Sequence, residues 1–445
     1  MDFDDSPAEA DFRAQARAWL DANAPRRGGT RLPLQRPLGP GDFASDTAHD
    51  DDFVKACKAW QGRLHDAGWA GITWPTEYGG RGLGPAFEQI FHDEQAAYGV
   101  SSAMFAVGIG MAGPTIVEHG TDEQKARFLP ALLRGDEVWC QLFSEPGAGS
   151  DLAGISTRAE RDPEGGGWVV NGQKVWTSYA RHSDFGILLA RTHPDRPKHR
   201  GITYFLLDMS TPGIHVRPIP QMNGSAEFNE VFLADVRVPD DRVLGLAGEG
   251  WRVAMSTLAS ERGLVGTDWP GFAQLLDAAR TRGLAGDPAT RQRLAAVYTG
   301  EQLLRFLGYR AKTALGRGEP LGPLASSINL FFAGHLKRTG DVVLSVLGAD
   351  GLVRNAVGGA GDADWTFLFL TWPCVRIASG TDEIQRNILG ERALGLPPEP
   401  RVDKHVPFRD LVISATTRAS VGGSTRSPSS TPRRPEPDLE VEGDR

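Results

Sequence analysis

A run of small residues interrupts the middle of the chain, Phe143-Ser144-Glu145-Pro146-Gly147-Ala148-Gly149-Ser150-Asp151-Leu152-Ala153-Gly154. From Gly147 to Ser150 little side chain surrounds the backbone, so its N–H groups can approach an anion such as a phosphate closely. The same composition makes a turn between a helix and a sheet, and the run alone does not separate the two readings. A second pattern, Gly108-Ile109-Gly110-Met111-Ala112-Gly113, has dinucleotide-type glycine spacing. No βαβ context surrounds it, and the fingerprint requires one; it reads as close helix packing. Metal chemistry has little to build on. The ten histidines lack ligand spacing, so His119 and His335 read as surface or core residues, and Cys57, Cys140 and Cys374 are too widely spaced for a metal site and too few for a disulfide scaffold.

The elements that must position these residues change period along the chain. From 1 to 138 the text is helical, as in Phe12 to Leu20, with a turn-rich segment from Gly68 to Gly80. Thr121 followed by Gln124 predicts a capped helix start. From 139 to 245 the period falls to two. Trp168-Val169-Val170, Asn171-Gly172 and Gln173 to Ser178 predict a hairpin, because Asn-Gly suits a tight turn. From 246 to 397 long helices return, with Leu294, Val297, Leu304 and Leu307 on one face. Residues 398–445 are rich in Ser, Pro, Arg and Glu and are expected to form a disordered tail.

Composition narrows the function classes. With 40% hydrophobic and 23% charged residues over 445 positions, two or three ordinary globular units are expected. A net charge of −8 argues against nucleic-acid binding, which needs clustered cations. The acidic start Met1-Asp2-Phe3-Asp4-Asp5 resembles no secretory leader, and no apolar run has the length of a membrane span. A soluble, cytoplasmic protein in a reducing compartment is the expectation.

Four blocks, taken together, resemble the acyl-CoA dehydrogenase family: Trp74-Pro75-Thr76-Glu77-Tyr78-Gly79-Gly80, Leu142 to Gly154, Asn171-Gly172-Gln173-Lys174-Val175-Trp176, and Gly380-Thr381-Asp382-Glu383-Ile384-Gln385-Arg386-Asn387. They occur in the family's order across residues 10 to 397. The resemblance implies an α+β fold with an N-terminal helical domain, a central β-barrel-like domain and a C-terminal four-helix bundle, binding FAD. Gln141, Phe143 and Ser144 match a strand facing the flavin, Trp176 and Ser178 match a second, and Thr381 and Glu383 match positions from the last helical segment. Ser150 matches a residue near the coenzyme A moiety, and Arg262 is a further substrate-binding candidate. A plain core role for Trp176 is the competing reading.

Family chemistry removes hydrogens from the α and β carbons of an acyl-CoA thioester. The α-proton is weakly acidic, so a carboxylate is needed whose pKa rises when the acyl chain desolvates it. Many members carry that glutamate just before the Gly-Thr of the last block, where this chain has Ser379. Others carry it on the first long helix of the C-terminal domain, and Leu258-Ala259-Ser260-Glu261-Arg262 matches that arrangement. Glu261 is therefore the candidate base. Electron-transfer flavoprotein is the expected acceptor.

Family homotetramers share each FAD between subunits, the neighbour supplying an Arg-x-x-Phe-Gly and a Gln-x-x-Gly-Gly segment. Here the corresponding stretches read Ala279 to Asp287, without Phe-Gly, and Ser345-Val346-Leu347-Gly348-Ala349-Asp350-Gly351. The chain would receive FAD contacts without giving them, as in actinobacterial α2β2 dehydrogenases of steroid side-chain CoA esters. A second dehydrogenase-like subunit is expected as partner, a homo-oligomer being the alternative. Competing functions are a flavin monooxygenase or oxidase on this fold, and a non-catalytic subunit.

Overall fold

A serine cap and a proline in the first turn start the first helix, α1 (Pro7–Asn23). Ser6 Oγ accepts from Glu9 N at 3.3 Å while the Glu9 carboxylate accepts from Ser6 N at 2.9 Å, so two otherwise orphaned backbone donors are satisfied. The structure, a computed structural model, describes residues 5–26, 47–261, 271–317, 319–352, 365–401 and 403–411. Four more helices complete the N-terminal domain: α2 (Thr47–Asp66), α3 (Pro85–Gln95), α4 (Gly113–His119) and α5 (Asp122–Arg134). The expected cap of α5 is present, Thr121 Oγ1 accepting from Gln124 N at 3.3 Å. The glycine pattern at 108–113 does serve packing: it forms one π-helical turn (Gly108–Ala112) leading into α4, and a Cβ on Gly113 would lie 2.1 Å from Trp74 Cζ2.

The central domain is one seven-stranded sheet: β1 (Trp139–Leu142), β2 (Arg158–Arg161), β3 (Trp168–Ser178), β4 (Phe185–Arg191), β5 (Ile202–Asp208), β6 (Ile214–Pro218) and β7 (Phe228–Val238). The strands run in the order β1-β4-β2-β3-β7-β6, with β5 antiparallel to β4. Alternation along β4 explains why the whole strand is buried. Phe185, Ile187 and Leu189 join the helical domain's core, while Leu188 and Ala190 face the sheet's own core with Trp168, Val170 and Phe205.

One expectation here is corrected. Asn171-Gly172 is not a hairpin turn but lies inside the unbroken strand β3, at a register shift against β7. Asn171 Nδ2 donates to Asp235 Oδ1 at 3.0 Å, and a Cβ on Gly172 would lie 2.7 Å from Thr157 Cα. The glycine answers a close backbone approach at a bulge, which sequence cannot tell from a turn.

The C-terminal region comprises α6 (Gly250–Glu261), α7 (Phe272–Thr281), α8 (Pro288–Gly316), α9 (Pro323–Leu347), α10 (Trp365–Val375) and α11 (Asp382–Arg392). Leu275, Leu294, Val297, Leu336, Val343 and Trp372 form its core. Of the stripe expected on α8, Leu294 and Val297 are buried and Leu304 and Leu307 half-buried. By contrast α6 packs on β5 and α4.

The tail expectation also needs correction over its first part. Asp403 to Leu411 pack against the sheet domain, Pro407 bridging Pro197 and Phe408 N donating to Arg196 O at 2.9 Å. A low apolar content did not prevent docking because one aromatic ring and two ion pairs anchor the segment. Residues 412–445 lie outside the described residues.

Candidate active site

The small-residue run is held by a buried ion pair. Beyond β1 the chain turns back on itself, Glu145 and Ala148 exchanging two backbone hydrogen bonds of 3.0 Å. Lys174, fully buried in β3, donates from Nζ to Glu145 Oε1 at 2.7 Å and to Phe143 O at 3.1 Å. Glu145 also accepts from Ser156 N, Ser156 Oγ and Thr157 N at 2.7, 2.9 and 3.0 Å. Burial opposes ionisation of Glu145, but the Lys174 ammonium and these donors outweigh it and hold the carboxyl below its ordinary range. Burial in turn depresses Lys174, with Glu145 pulling the other way; four donors on the carboxylate favour the ionised pair.

This latch brings five of the candidate residues to neighbouring strand ends. Val175 N donates to Ser144 O at 3.0 Å, joining the Gln141, Phe143, Ser144 side to the Trp176, Ser178 side. Phe143 itself is buried edge-on to Tyr204, ring centroids 5.8 Å apart. Trp176 stands differently. It sits at a second register shift in β3, has φ 62°, and is 59% exposed beside Phe228. A bulky residue held in the left-handed region costs roughly 1–3 kcal/mol and marks functional positions more often than cores. The core reading of Trp176 therefore fails.

Ser150 lies exposed in the loop beyond the latch, and a Cβ on Gly149 would meet nothing within 4 Å. The loop's far side is fixed by buried Arg191, which donates to Ala153 O at 2.6 Å and Ile155 O at 3.1 Å. Burial lowers the Arg191 guanidinium pKa to about 10.

Thr381 and Glu383 stand at the start of α11, which packs on α9. Thr381 caps α11 by accepting from Ile384 N at 3.2 Å, and Glu383 is exposed, 3.8 Å from Arg386. Just before them Ser379 and Gly380 have φ 54° and 94°. The Gln385 amide closes this turn on Ser379 O at 3.0 Å.

Glu261 is the last described residue of α6; nothing of its side chain is described, and Arg262 lies outside the described residues. The helix that carries Glu261 is pinned one turn earlier. Thr257 Oγ1 lies 2.9 Å from Thr115 Oγ1 on α4 and 3.0 Å from Tyr204 OH on β5, all buried. Sequence reading missed this hydroxyl chain, the Lys174–Glu145 pair and Arg191. A lysine at an inward position of an alternating strand was the available signal.

Three family models match successive parts of the chain in order. Residues 42–136 match the acyl-CoA dehydrogenase N-terminal domain, 140–236 the middle domain and 248–394 the C-terminal domain. The chain belongs to the acyl-CoA dehydrogenase family. This family consists of FAD-dependent oxidoreductases. Among relatives, acyl-CoA dehydrogenase IpdE1 of Mycobacterium tuberculosis is 39% identical over 397 residues, 88% of this chain and 98% of that protein. Among solved structures, the Tcur3481-Tcur3483 steroid ACAD superposes with TM-score 0.75 at 29% identity, covering 90% of this chain and 100% of that one. The ChsE4-ChsE5 complex from Mycobacterium tuberculosis gives TM-score 0.71 at 27% identity, with the same coverages of 90% and 100%. Among the described residues no helix is long and apolar enough to cross a membrane, and no group of three or more His, Cys, Asp or Glu could hold a metal ion.

Proposed function

We propose that this acyl-CoA dehydrogenase family member binds FAD at the ends of β1 and β3 and removes the α and β hydrogens of an acyl-CoA, with Glu261 as base. The observation that carries the reading is Trp176, an exposed indole held at a strained bulge by the Lys174 latch. Strain of that kind persists where the surroundings over-determine it, and an exposed aromatic surface suits a flat ring. The strand ends thus fit the cofactor: Gln141 and Ser144 would line one side, with Phe143 packed beneath them, and Trp176 and Ser178 the other, with Thr381 and Glu383 from α11. Bound there, FAD supplies the hydride acceptor that the amino acids lack.

The chain's own part is position and proton transfer. Glu261 takes the α-proton, and its helix is fixed to the sheet through Thr257 and Tyr204. Ser150 and Arg262 are assigned to the substrate, Ser150 near coenzyme A. Relatives named for steroid ACAD activity support a steroid side-chain or branched acyl-CoA, and electron-transfer flavoprotein is the proposed acceptor.

A heteromeric assembly is part of the proposal. Asp350 lies 3.6 Å from Arg282, and Ser345 bonds Arg293 on α8, so the two stretches expected to reach a neighbour's FAD engage each other or a helix of their own chain. Along α8, Tyr298, Leu303 and Phe306 remain exposed, as a partner-facing helix would leave them.

The decisive test is Glu261→Gln in the flavin-loaded enzyme. Flavin absorbance should persist while its bleaching by acyl-CoA slows by about 10³-fold or more, since only the proton acceptor is gone. Bleaching near the wild-type rate would remove Glu261 from the role.

A further inference from the structure

The C-terminal strap, Asp403 to Leu411, touches the sheet domain through cations that also hold the loop carrying Ser150. Phe408 covers the Arg191 guanidinium, whose Cζ lies 3.6 Å from the ring centroid. The edges of that guanidinium donate to Ala153 O and Ile155 O, on the C-terminal side of Ser150. Asp403 lies 2.6 Å from Lys198 Nζ, which also lies 2.9 Å from Asp151, the residue after Ser150. Backbone bonds from Phe408 N to Arg196 O and from Arg409 N to Pro194 O, at 2.9 and 3.0 Å, fix the strap's register. A pair between Arg409 and Asp195 at 2.6 Å closes its outer end.

Each cation therefore has two sides, one on the strap and one on the loop. Without Phe408, one face of Arg191 would open to water and its hold on two carbonyls would weaken. Without Asp403, Lys198 would keep, among the described residues, the exposed Asp151. Little else holds the loop tip, since Gly149 has open space around it and Ser150 is exposed.

We propose that the strap is a positioning element for substrate, holding Ser150 through Arg191 and Lys198 in the place where the coenzyme A end of the acyl-CoA binds. This rests on the assignment of Ser150 to coenzyme A made above. It goes further in giving residues 403–411 a task in substrate affinity rather than in flavin binding.

The test is calorimetric binding of coenzyme A alone to the flavin-loaded enzyme, prepared with its partner subunit. Four variants are compared with the full chain: Ser150→Trp, Phe408→Ala, a stop after Arg401 and a stop after Leu411. Asp403→Asn, a surface change, stands in if the shorter chain fails to fold. Phe408→Ala should weaken coenzyme A by roughly tenfold, in the range of one cation–π contact, and the stop after Arg401, which also removes Asp403, by at least as much. Flavin content should stay at the wild-type level, and the stop after Leu411 should bind normally. Ser150→Trp should abolish binding. If Ser150→Trp weakens coenzyme A but the strap variants bind normally, the strap inference fails alone. If Ser150→Trp binds normally, the assignment beneath it fails and takes the inference with it. Parallel loss of flavin and coenzyme A in the strap variants would make the strap general scaffold and overturn the proposal.

Discussion

Lys174 and Glu145 carry the largest electrostatic commitment in the sheet domain, both almost without exposure and 2.7 Å apart. Their worth lies in what happens when one is removed. Lys174→Met strands a carboxylate that already takes three donors from residues 156 and 157, and should cost about 3–5 kcal/mol. Lys174→Met with Glu145→Gln removes the stranded charge and should recover more than half of that loss. Urea unfolding followed by circular dichroism measures both; a single variant as stable as wild type would show the pair to be incidental. The block around Lys174 was legible as a family signature, yet the lysine's role was not. Alternation from Trp168 and Val170 puts Lys174 on the inward face, but its partner Glu145 comes from the turn after β1, which no reading of the strand alone supplies. Trp176 is the converse case: its type suggests core, and its exposure and backbone conformation argue against that reading.

At the scale of elements, local chemistry was most readable where it is self-contained. Thr121 with Gln124 announced the start of α5, and Gly108 to Gly113 was rightly read as packing because no strand precedes it. Asn171-Gly172 misled because the close approach comes from Thr157, in the segment leading into β2, which no local reading of the dipeptide contains. The strap misled for a similar reason: its partners, Arg191 and Lys198, lie some 200 residues upstream. Its docking should also depend on pH. The hydrogen bond from Lys198 holds the Asp403 carboxyl below its ordinary value, while Asp403 and Asp151 outweigh burial and raise Lys198. The carboxylate's contribution is complete above about pH 4 and vanishes as pH falls through the lowered folded value; the lysine's is complete below about pH 10 and vanishes above it. Hydrogen exchange at the Phe408 and Arg409 amides, corrected for intrinsic rates, should therefore show constant protection between about pH 5 and 9 and a decline below about pH 4. Protection unchanged at about pH 2 would remove the Asp403–Lys198 pair from strap docking.

For the whole molecule, the order helical, sheet, helical followed from the change of period alone, whereas assembly did not. What bears on assembly is the loss of two short segments and the exposed side chains of α8. Co-expression with a second dehydrogenase-like chain should yield one FAD per unlike pair and turnover that neither chain supports alone. A homogeneous preparation of this chain with one FAD per subunit and full activity would refute the heteromeric proposal. The hydroxyl chain of Thr115, Thr257 and Tyr204 has a consequence at this scale as well. Tyr204 packs edge-on to Phe143, so the helix ending at Glu261 and the strand end assigned to the cofactor are braced against one side chain. Base and acceptor would then travel as a single rigid body, and motions that admit substrate would leave their mutual spacing unaltered.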